Sequence, residues 1–469
     1  MNTLLSRLGL MLAATAAWLL VGCAGAPAHL TAAAMPPDHT FPPIVFVHGN
    51  GDTAALWHTT VWRFESNGWP RARLHAIDVP YPLARDDDSK PQPGRTSAAE
   101  HMAFLQAEVD KVLQATGARQ VVLFGNSRGG IAIRNYVQNG GGDRTVSHAI
   151  LGGTPNHGIW AIKGFREGNE FSALSPVMTA LNAPKNTIGD EVTGPVRWLT
   201  IRSDNNDKYA QPDGLWIGAK GTATNVTFAG PELKGATNLV IPRIDHRETA
   251  FAPAAFEAAY RFITGKAPQT SGVVAESTAV LRGKVTGLGL TPTDPASGNY
   301  SNNLPLPGAQ LEIYAVDAAT GERRGAAAYA KTVAADGLWG PFTAQAATPY
   351  EFVVSAPGYA ITHIYRSPFP RSSKLIHLRA ERIADADKGA PAVVTMTRPR
   401  GYLDPTRDTM AFDGKSPPPG TVPGAGVASS RLKPEGPPRS LTAQFNGERV
   451  TGRSWPAASN HLSILELSY

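Results

Sequence analysis

The sequence predicts an α/β domain built on a mostly parallel β-sheet with flanking helices, followed by an all-β region. Two observations carry this prediction. In the first part, the short apolar run 121–124 directly precedes apolar residues at helical spacing, as a strand, turn and helix require. From about residue 278 the pattern changes to short alternating runs separated by Gly, Pro, Asn and Asp, which is typical of a β-sandwich.

Composition shifts divide the chain into six segments. The segments are a signal peptide (1–22), an Ala/Pro-rich tether (23–40), an α/β domain (41–266), a linker (267–277), a β-sandwich (278–385) and a further β-rich region (386–469). The last segment contains a Pro/Gly-rich loop and either completes the sandwich or forms a second small one.

The overall composition describes a globular protein. The chain has 469 residues, of which 42% are hydrophobic and 17% charged. Its formal net charge is +6, but no dense Lys/Arg tract accompanies it, so the sequence does not indicate nucleic-acid binding. The single cysteine, Cys23, excludes intrachain disulfides and any cysteine metal cluster.

The start of the chain predicts export. Arg7 precedes an almost wholly apolar run over 8–22, too short for a membrane-spanning helix. The residues before Cys23 resemble a bacterial lipobox, and this resemblance implies cleavage before Cys23 and a lipid anchor on its sulfur. Ala24 stands where an inner-membrane retention signal usually shows Asp, so the resemblance favours the outer membrane or cell surface. The alternative is ordinary secretory cleavage, which leaves a periplasmic or secreted protein.

A G-x-S-x-G motif is the most informative stretch for function. Gly125, Ser127 and Gly129 follow the predicted strand 121–124 and precede a predicted helix. The motif is typical of a nucleophile elbow, in which a sharp turn holds a serine hydroxyl exposed and the glycines allow close backbone approach. Ser127 is therefore the predicted nucleophile.

An activated serine also needs a base and an acid that orients the base. His246 is the predicted base, because it follows the strand-like run 239–241 and precedes a helix-like segment. The acid should follow the strand-like run 196–201, where Asp204 and Asp207 are both available. Loop geometry favours Asp207, with Asp204 as the alternative that caps or braces the turn.

A glycine-rich turn after the early apolar run 44–47 supplies the predicted oxyanion hole. The backbone amides of Asn50 and Arg128 are the expected donors to the developing negative charge. His48 is expected to brace this loop. Trp57, His58 and Trp62 either line a substrate cleft or bury one face of a helix.

Together these motifs resemble bacterial lipases and esterases of the α/β-hydrolase superfamily, over roughly residues 41–266. The order Ser127, Asp207, His246 is the order expected of that superfamily, and the T-P-x-x-G stretch 154–158 is also lipase-like. Arg128 departs from the pattern, since such lipases more often carry an apolar residue there. A cation beside the oxyanion site would favour polar or anionic substrates.

The insert 158–195 is either a small cap over the acyl site or an ordinary crossover helix with decorated loops. The β-rich segments resemble the prealbumin-like or carboxypeptidase-regulatory-like modules of secreted proteins. No Ser, His and Asp set recurs there, so these segments are expected to hold a substrate, a partner or the orientation of the catalytic domain.

The sequence thus predicts a serine carboxylic-ester hydrolase that needs no metal or organic cofactor. Its expected partners are an ester substrate, either a lipid, a short acyl ester or a polyester, and a membrane reached through the anchor at Cys23. Two alternatives stay open: a peptidase or amidase on the same fold, and a non-catalytic surface-binding lipoprotein.

Overall fold

The computed structural model describes residues 41–211, 213–288, 302–424 and 426–469. The predicted signal peptide, the tether and Cys23 lie outside the described residues. None of the helices within these ranges is long and apolar enough to cross a membrane.

The first half of the described chain alternates strands and helices. The strands are β1 (Ile44–Val47), β2 (Leu74–Ile77), β3 (Val121–Asn126), β4 (Val146–Gly152), β5 (Arg197–Ser203) and β6 (Thr237–Ile241). The helices are α1 (His58–Ser66), α2 (Ala98–Thr116), α3 (Arg128–Asn139), α4 (Pro176–Asn182), α5 (Glu248–Phe251) and α6 (Pro253–Thr264).

These six strands form one parallel sheet in the order β2-β1-β3-β4-β5-β6. Helices cover both faces of the sheet. Because both faces are buried, β1 and the start of β3 have continuous runs of apolar residues in their sequences. On one face, Phe46 and its neighbours pack against α1 and α6. On the other, Val45 packs in the cluster that contains α2 and α3. The predicted α/β fold is confirmed.

The second half of the described chain is all β. Its strands are β7 (Ala279–Gly287), β8 (Gln310–Ala315), β9 (Tyr329–Thr332), β10 (Leu338–Ala344), β11 (Tyr350–Ser355), β12 (Ile361–Arg366), β13 (Leu378–Ala380), β14 (Val394–Thr397), β15 (Met410–Phe412), β16 (Ser429–Leu432), β17 (Ser440–Phe445), β18 (Glu448–Arg453) and β19 (His461–Glu466).

Three sheets build this β region. A seven-stranded sheet, β16-β14-β19-β12-β11-β8-β9, lies between two three-stranded sheets, β10-β7-β13 and β15-β17-β18. Leu281 of β7 and Phe352 of β11 share one core, whereas Tyr365 of β12 and Phe445 of β17 share another, so both faces of the central sheet are covered. The all-β second part that the sequence predicts is present.

Strand β19 lies between β12 and β14 in the central sheet and pairs in parallel with both. The boundary proposed at residue 385 therefore falls between strands of one sheet. This arrangement fits the alternative in which the last segment completes the sandwich.

The α/β part and the β region share a buried contact. Trp62 of α1 packs into the core around β7 and donates its indole N–H to the Ser372 carbonyl at 2.9 Å. Asp78, after β2, accepts from Lys284 and from His377, both at 2.8 Å. Burial alone would raise the pKa of Asp78, but His377 and Lys284 hold it well below its usual range. These charged contacts fix the β region against the edge of the parallel sheet.

Candidate active site

Ser127 lies on the sharp turn between β3 and α3. Its backbone has φ 53° and ψ −121°, a strained conformation for a residue with a side chain. The Ser127 N–H donates to the Gly152 carbonyl of β4 at 2.8 Å, which anchors the turn to the neighbouring strand. The Ser127 hydroxyl makes no hydrogen bond with another described residue and faces the cavity described below.

The two glycines of the motif are required by close backbone packing. A Cβ at Gly125 would lie 2.7 Å from the backbone of Gly129 and Gly130 in the first turn of α3. A Cβ at Gly129 would lie 2.3 Å from the Val47 carbonyl oxygen of β1. Both distances are too short for a real contact, so only glycine lets the helix begin this close to the sheet.

His246 and Asp207 are hydrogen-bonded to each other. His246 Nδ1–H donates to Asp207 Oδ2 at 2.7 Å, and both side chains are buried. The other Asp207 oxygen accepts the Tyr209 N–H at 2.8 Å, which fixes the carboxylate. The Tyr209 ring lies edge-on to the imidazole, with 4.8 Å between ring centroids, and burial raises the pKa of Tyr209 to about 12.

Asp204, the alternative acid, does not contact His246. Its carboxylate accepts the N–H groups of Asn206 and Arg243, each at 3.0 Å. It therefore braces the turn after β5 and ties that turn to the loop after β6. Of the two candidate acids, the structure brings only Asp207 to the imidazole.

Asn126 contacts the loop of His246, which the motif alone did not indicate. Its buried side-chain amide donates to the His246 carbonyl and to Thr249 Oγ1, both at 3.0 Å. Thr249 Oγ1 in turn donates to the same carbonyl at 2.8 Å. The residue before Ser127 thus holds the loop that carries His246.

The predicted oxyanion loop passes beside the elbow. A Cβ at Gly49 would lie 3.0 Å from Ser127 Cβ, so the two backbones are in contact. Arg128 is the first residue of α3, where a backbone N–H has no partner within the helix. Asn50 anchors the loop through its side-chain oxygen, which accepts the Ala84 N–H at 2.7 Å. His48 Nε2 accepts the Val79 N–H at 3.1 Å and braces the same loop.

The Arg128 side chain does not line the cavity described below, which corrects the expectation that this residue places a cation beside the oxyanion site. Its guanidinium is fully buried and forms two hydrogen bonds with the Glu170 carboxylate, at 2.7 and 2.9 Å. It also donates to Thr96 Oγ1 at 2.7 Å. The charge is neutralised within the protein, because the side chain turns away from the cavity while the backbone stays at the elbow.

Ser127 and His246 line one cavity of about 180 Å³. The insert after β4 contributes its apolar wall, through Ile159, Trp160 and Phe171. The insert holds a single α-helix of seven residues, α4, so its loops form this wall. Among the described residues, no group of three or more His, Cys, Asp or Glu side chains is arranged to hold a metal ion.

The aromatic residues after the oxyanion loop do not line this cavity. Trp57, His58 and Trp62 are fully buried, so they serve the burial of α1 and its neighbour. His157 also lies elsewhere, with Nε2 at 2.9 Å from the Glu191 carboxylate. Asp245, adjacent to His246, accepts backbone N–H groups of its own loop, including that of Arg247 at 2.8 Å.

Comparison with known families agrees with this architecture. Residues 42–167, which contain the oxyanion loop and the elbow, match the family model described as the alpha/beta hydrolase fold. The parallel sheet with its flanking helices has the α/β-hydrolase fold. A second model, described as the lipase C-terminal domain, matches residues 277–383 of the region that follows the hydrolase. The resemblance to prealbumin-like modules stays a prediction.

Solved structures of several hydrolases are similar to this one. The Bacillus licheniformis lipase BlEst2 in its mature form is 21% identical, with 49% of this chain and 96% of that chain covered and a TM-score of 0.35. The carboxylesterase CesB of Bacillus subtilis is 13% identical, with 49% and 86% covered and a TM-score of 0.27. The match to the alpha/beta hydrolase model ends at residue 167, before Asp207 and His246. The pairing of these two residues therefore rests on the hydrogen bond between their side chains.

Proposed function

We propose that this α/β-hydrolase is a serine carboxylic-ester hydrolase of the lipase/esterase type. One observation carries the proposal: a serine with a strained backbone lines the same cavity as a histidine whose Nδ1 is hydrogen-bonded to a buried carboxylate. Structural serines have no need of either feature, whereas a nucleophile needs both.

In the proposed reaction, His246 takes the proton of the Ser127 hydroxyl as Oγ attacks the ester carbonyl carbon. Asp207 holds the Nδ1–H at 2.7 Å, which leaves Nε2 as the proton acceptor and stabilises the imidazolium that forms. The imidazolium then returns its proton to the leaving alcohol. A water molecule repeats the sequence on the acyl-enzyme and releases the carboxylic acid.

The negative charge on the tetrahedral intermediate is proposed to lie between the backbone amides of Asn50 and Arg128. Two features support these donors: the Arg128 N–H begins helix α3, and the loop of Asn50 contacts the elbow. Preorganised amides of this kind stabilise the oxyanion because they need no rearrangement as the charge develops.

The cavity supports a substrate with a small acyl group. Pockets that enclose a drug-sized ligand typically measure roughly 300–1,000 Å³, whereas this one measures about 180 Å³. Ile159, Trp160, Phe171 and Ile217 give it an apolar wall suited to a short hydrocarbon chain. We therefore propose short acyl esters, or single acyl units of a polyester, ahead of long-chain lipids.

The test is hydrolysis of p-nitrophenyl esters of graded acyl length by the chain from Ala24, beside Ser127→Ala. We expect turnover that depends on Ser127 and that is fastest on the short acyl chains. Equal inertness of both proteins on every ester would contradict the esterase proposal. A p-nitroanilide with the best acyl group is the matched control, since faster turnover of the amide would favour the peptidase or amidase alternative.

We also propose that the protein is exported and anchored by lipid at Cys23, with the outer membrane or cell surface as its place. The lipobox-like residues before Cys23 support this proposal. Metabolic labelling with a fatty acid, beside Cys23→Ser, tests it. Label that persists in the variant would contradict anchoring at this residue.

A further inference from the structure

The loop after β14 in the β region reaches the active-site cavity. Tyr402, on this loop, is buried and lines the cavity together with Ser127 and His246. Two cations lie over its ring: Lys208 Nζ at 4.6 Å and Arg247 Cζ at 5.0 Å from the ring centroid. Lys208 follows the acid Asp207 and Arg247 follows the base His246, so Tyr402 contacts the neighbours of both.

The same loop holds the segment that carries His246. Arg398 Nη1 donates to the buried Asp245 carboxylate at 2.9 Å, and Arg398 Nη2 donates to Glu248 at 2.6 Å. Arg407 Nη1 donates to the other Glu248 oxygen at 2.5 Å. Asp245 stands one residue before His246 and Glu248 two residues after it. Arg398 and Arg407 therefore bind the chain on both sides of the proposed base.

Backbone groups of the β region also form hydrogen bonds with the segment that carries His246. The Tyr402 N–H donates to Asp245 Oδ2 at 2.8 Å, and Arg247 Nη1 donates to the Pro399 carbonyl at 3.0 Å. The Asp245 carboxylate is fully buried and Arg398 is 3% exposed. Buried carboxylates of like charge repel each other unless cations compensate them. Without Arg398 and Arg407, the histidine segment would carry two uncompensated charges.

We propose that the β region completes the active site, with Arg398 and Arg407 as positioning residues for His246 and Tyr402 as a residue that determines substrate specificity. This proposal rests on the proposed esterase function. The residues concerned lie beyond the match to the lipase C-terminal domain, which ends at residue 383. The Tyr402 hydroxyl makes no hydrogen bond with a described residue, so it is free to donate to a polar group of the substrate.

Arg398→Met tests the positioning role in the chain from Ala24, which contains the whole compact unit Asp38–Tyr469. We expect kcat to fall about tenfold or more with KM within about twofold, because a displaced base impairs the chemical step. Arg398→Lys should restore part of kcat. Arg323→Met is the control, since it breaks an ion pair with the buried Glu351, at 2.6 Å, within the β region.

The pH profile separates positioning from general destabilisation. The charged and titratable groups that surround His246 or line its cavity come from the loops of the α/β part and from the β region: Asp52, Arg166, Asp207, Lys208, Tyr209, Asp245, Arg247, Glu248, Arg398, Tyr402 and Arg407. Loss of the Arg398 cation leaves extra negative charge beside the imidazole, which favours its protonated form. The acidic limb of kcat/KM should therefore move to higher pH in Arg398→Met and stay in place in Arg323→Met.

Tyr402→Ala tests the specificity role and remains informative if Arg398→Met does not fold. A larger cavity should move the preferred acyl chain to a longer one, while Tyr402→Phe should alter only substrates with a polar group in reach. The proposal is overturned if wild type hydrolyses esters yet Arg398→Met and Tyr402→Ala keep its kcat, pH limb and chain-length profile. An inert wild type would instead overturn the esterase function.

Discussion

Arg128 and Glu170 form a fully buried, two-point ion pair, with Nε–Oε1 at 2.7 Å and Nη2–Oε2 at 2.9 Å. Arg128 directly follows Ser127, whereas Glu170 belongs to the insert after β4. The pair therefore fixes the insert, which supplies one wall of the cavity, to the helix that begins at the elbow.

Breaking this pair should destabilise the protein strongly. In Glu170→Gln the buried Arg128 cation loses its counter-charge, so we expect the free energy of unfolding to fall by about 3 kcal/mol or more. Urea denaturation measures it. Glu108→Gln is the control, because Glu108 pairs with Lys111 at the surface and such pairs contribute about 1 kcal/mol at most. Equal losses in the two variants would contradict the prediction.

The assignment of the acid predicts an asymmetry between two neighbouring aspartates. Asp207→Asn should lower kcat by about 10⁴-fold, since an amide in place of the carboxylate favours the wrong tautomer of His246. Asp204→Asn should lower it far less, because Asp204 braces the loop and does not contact the imidazole. Steady-state kinetics of ester hydrolysis by the two variants test this prediction. Full activity in Asp207→Asn would contradict the assignment of Asp207 as the acid.

Gly129 of the elbow should tolerate no side chain. In Gly129→Ala the new methyl group would overlap the Val47 carbonyl oxygen at 2.3 Å, so β1 and α3 must separate and activity should be lost. Gly117→Ala is the control: Gly117 has φ +64° with open space around it, so only about 1–2 kcal/mol of backbone strain is expected. Ester turnover and thermal unfolding of both variants check this, and an active Gly129→Ala would refute the packing argument.

Lys208 should make stability depend on pH. Burial, with Arg247 nearby, lowers the pKa of Lys208 to about 8. Between that pH and the ordinary lysine pKa of about 10.4, the unfolded chain holds a proton that the folded chain lacks, so this residue's contribution to the free energy of unfolding rises with pH. The stability of Lys208→Met relative to wild type should therefore fall across this window. Denaturation at pH 7 and pH 10 measures it; a constant difference would contradict the shift.

Much of the fold and of the proposed site could be predicted because their signals are local. The elbow combines a strand, three motif residues and a helix within twenty residues, and the loops carrying Asp207 and His246 each follow an apolar run. Parallel strands bring such loops to one edge of the sheet. The choice of Asp207 over Asp204 matches the contact that the structure makes.

What could not be predicted depends on contacts distant in sequence. Glu170 neutralises Arg128 from 42 residues away, and Arg398 reaches Asp245 from 153 residues away. A single sequence does not indicate such pairings. An arginine on a loop has the same local sequence pattern whether its side chain faces solvent or pairs with a buried carboxylate. The expectation that Arg128 places a cation beside the oxyanion site was wrong for this reason.

Strand β19 lies inside the central sheet of the β region, between β12 and β14, although it is the last strand in sequence. During synthesis the nucleophile elbow leaves the ribosome more than 300 residues before this strand. The sheet that supports the loop of Arg398 and Tyr402 cannot close until β19 arrives. We therefore expect a growing chain to form the turn of Ser127 early and to immobilise the segment of His246 only after β19 has been synthesised.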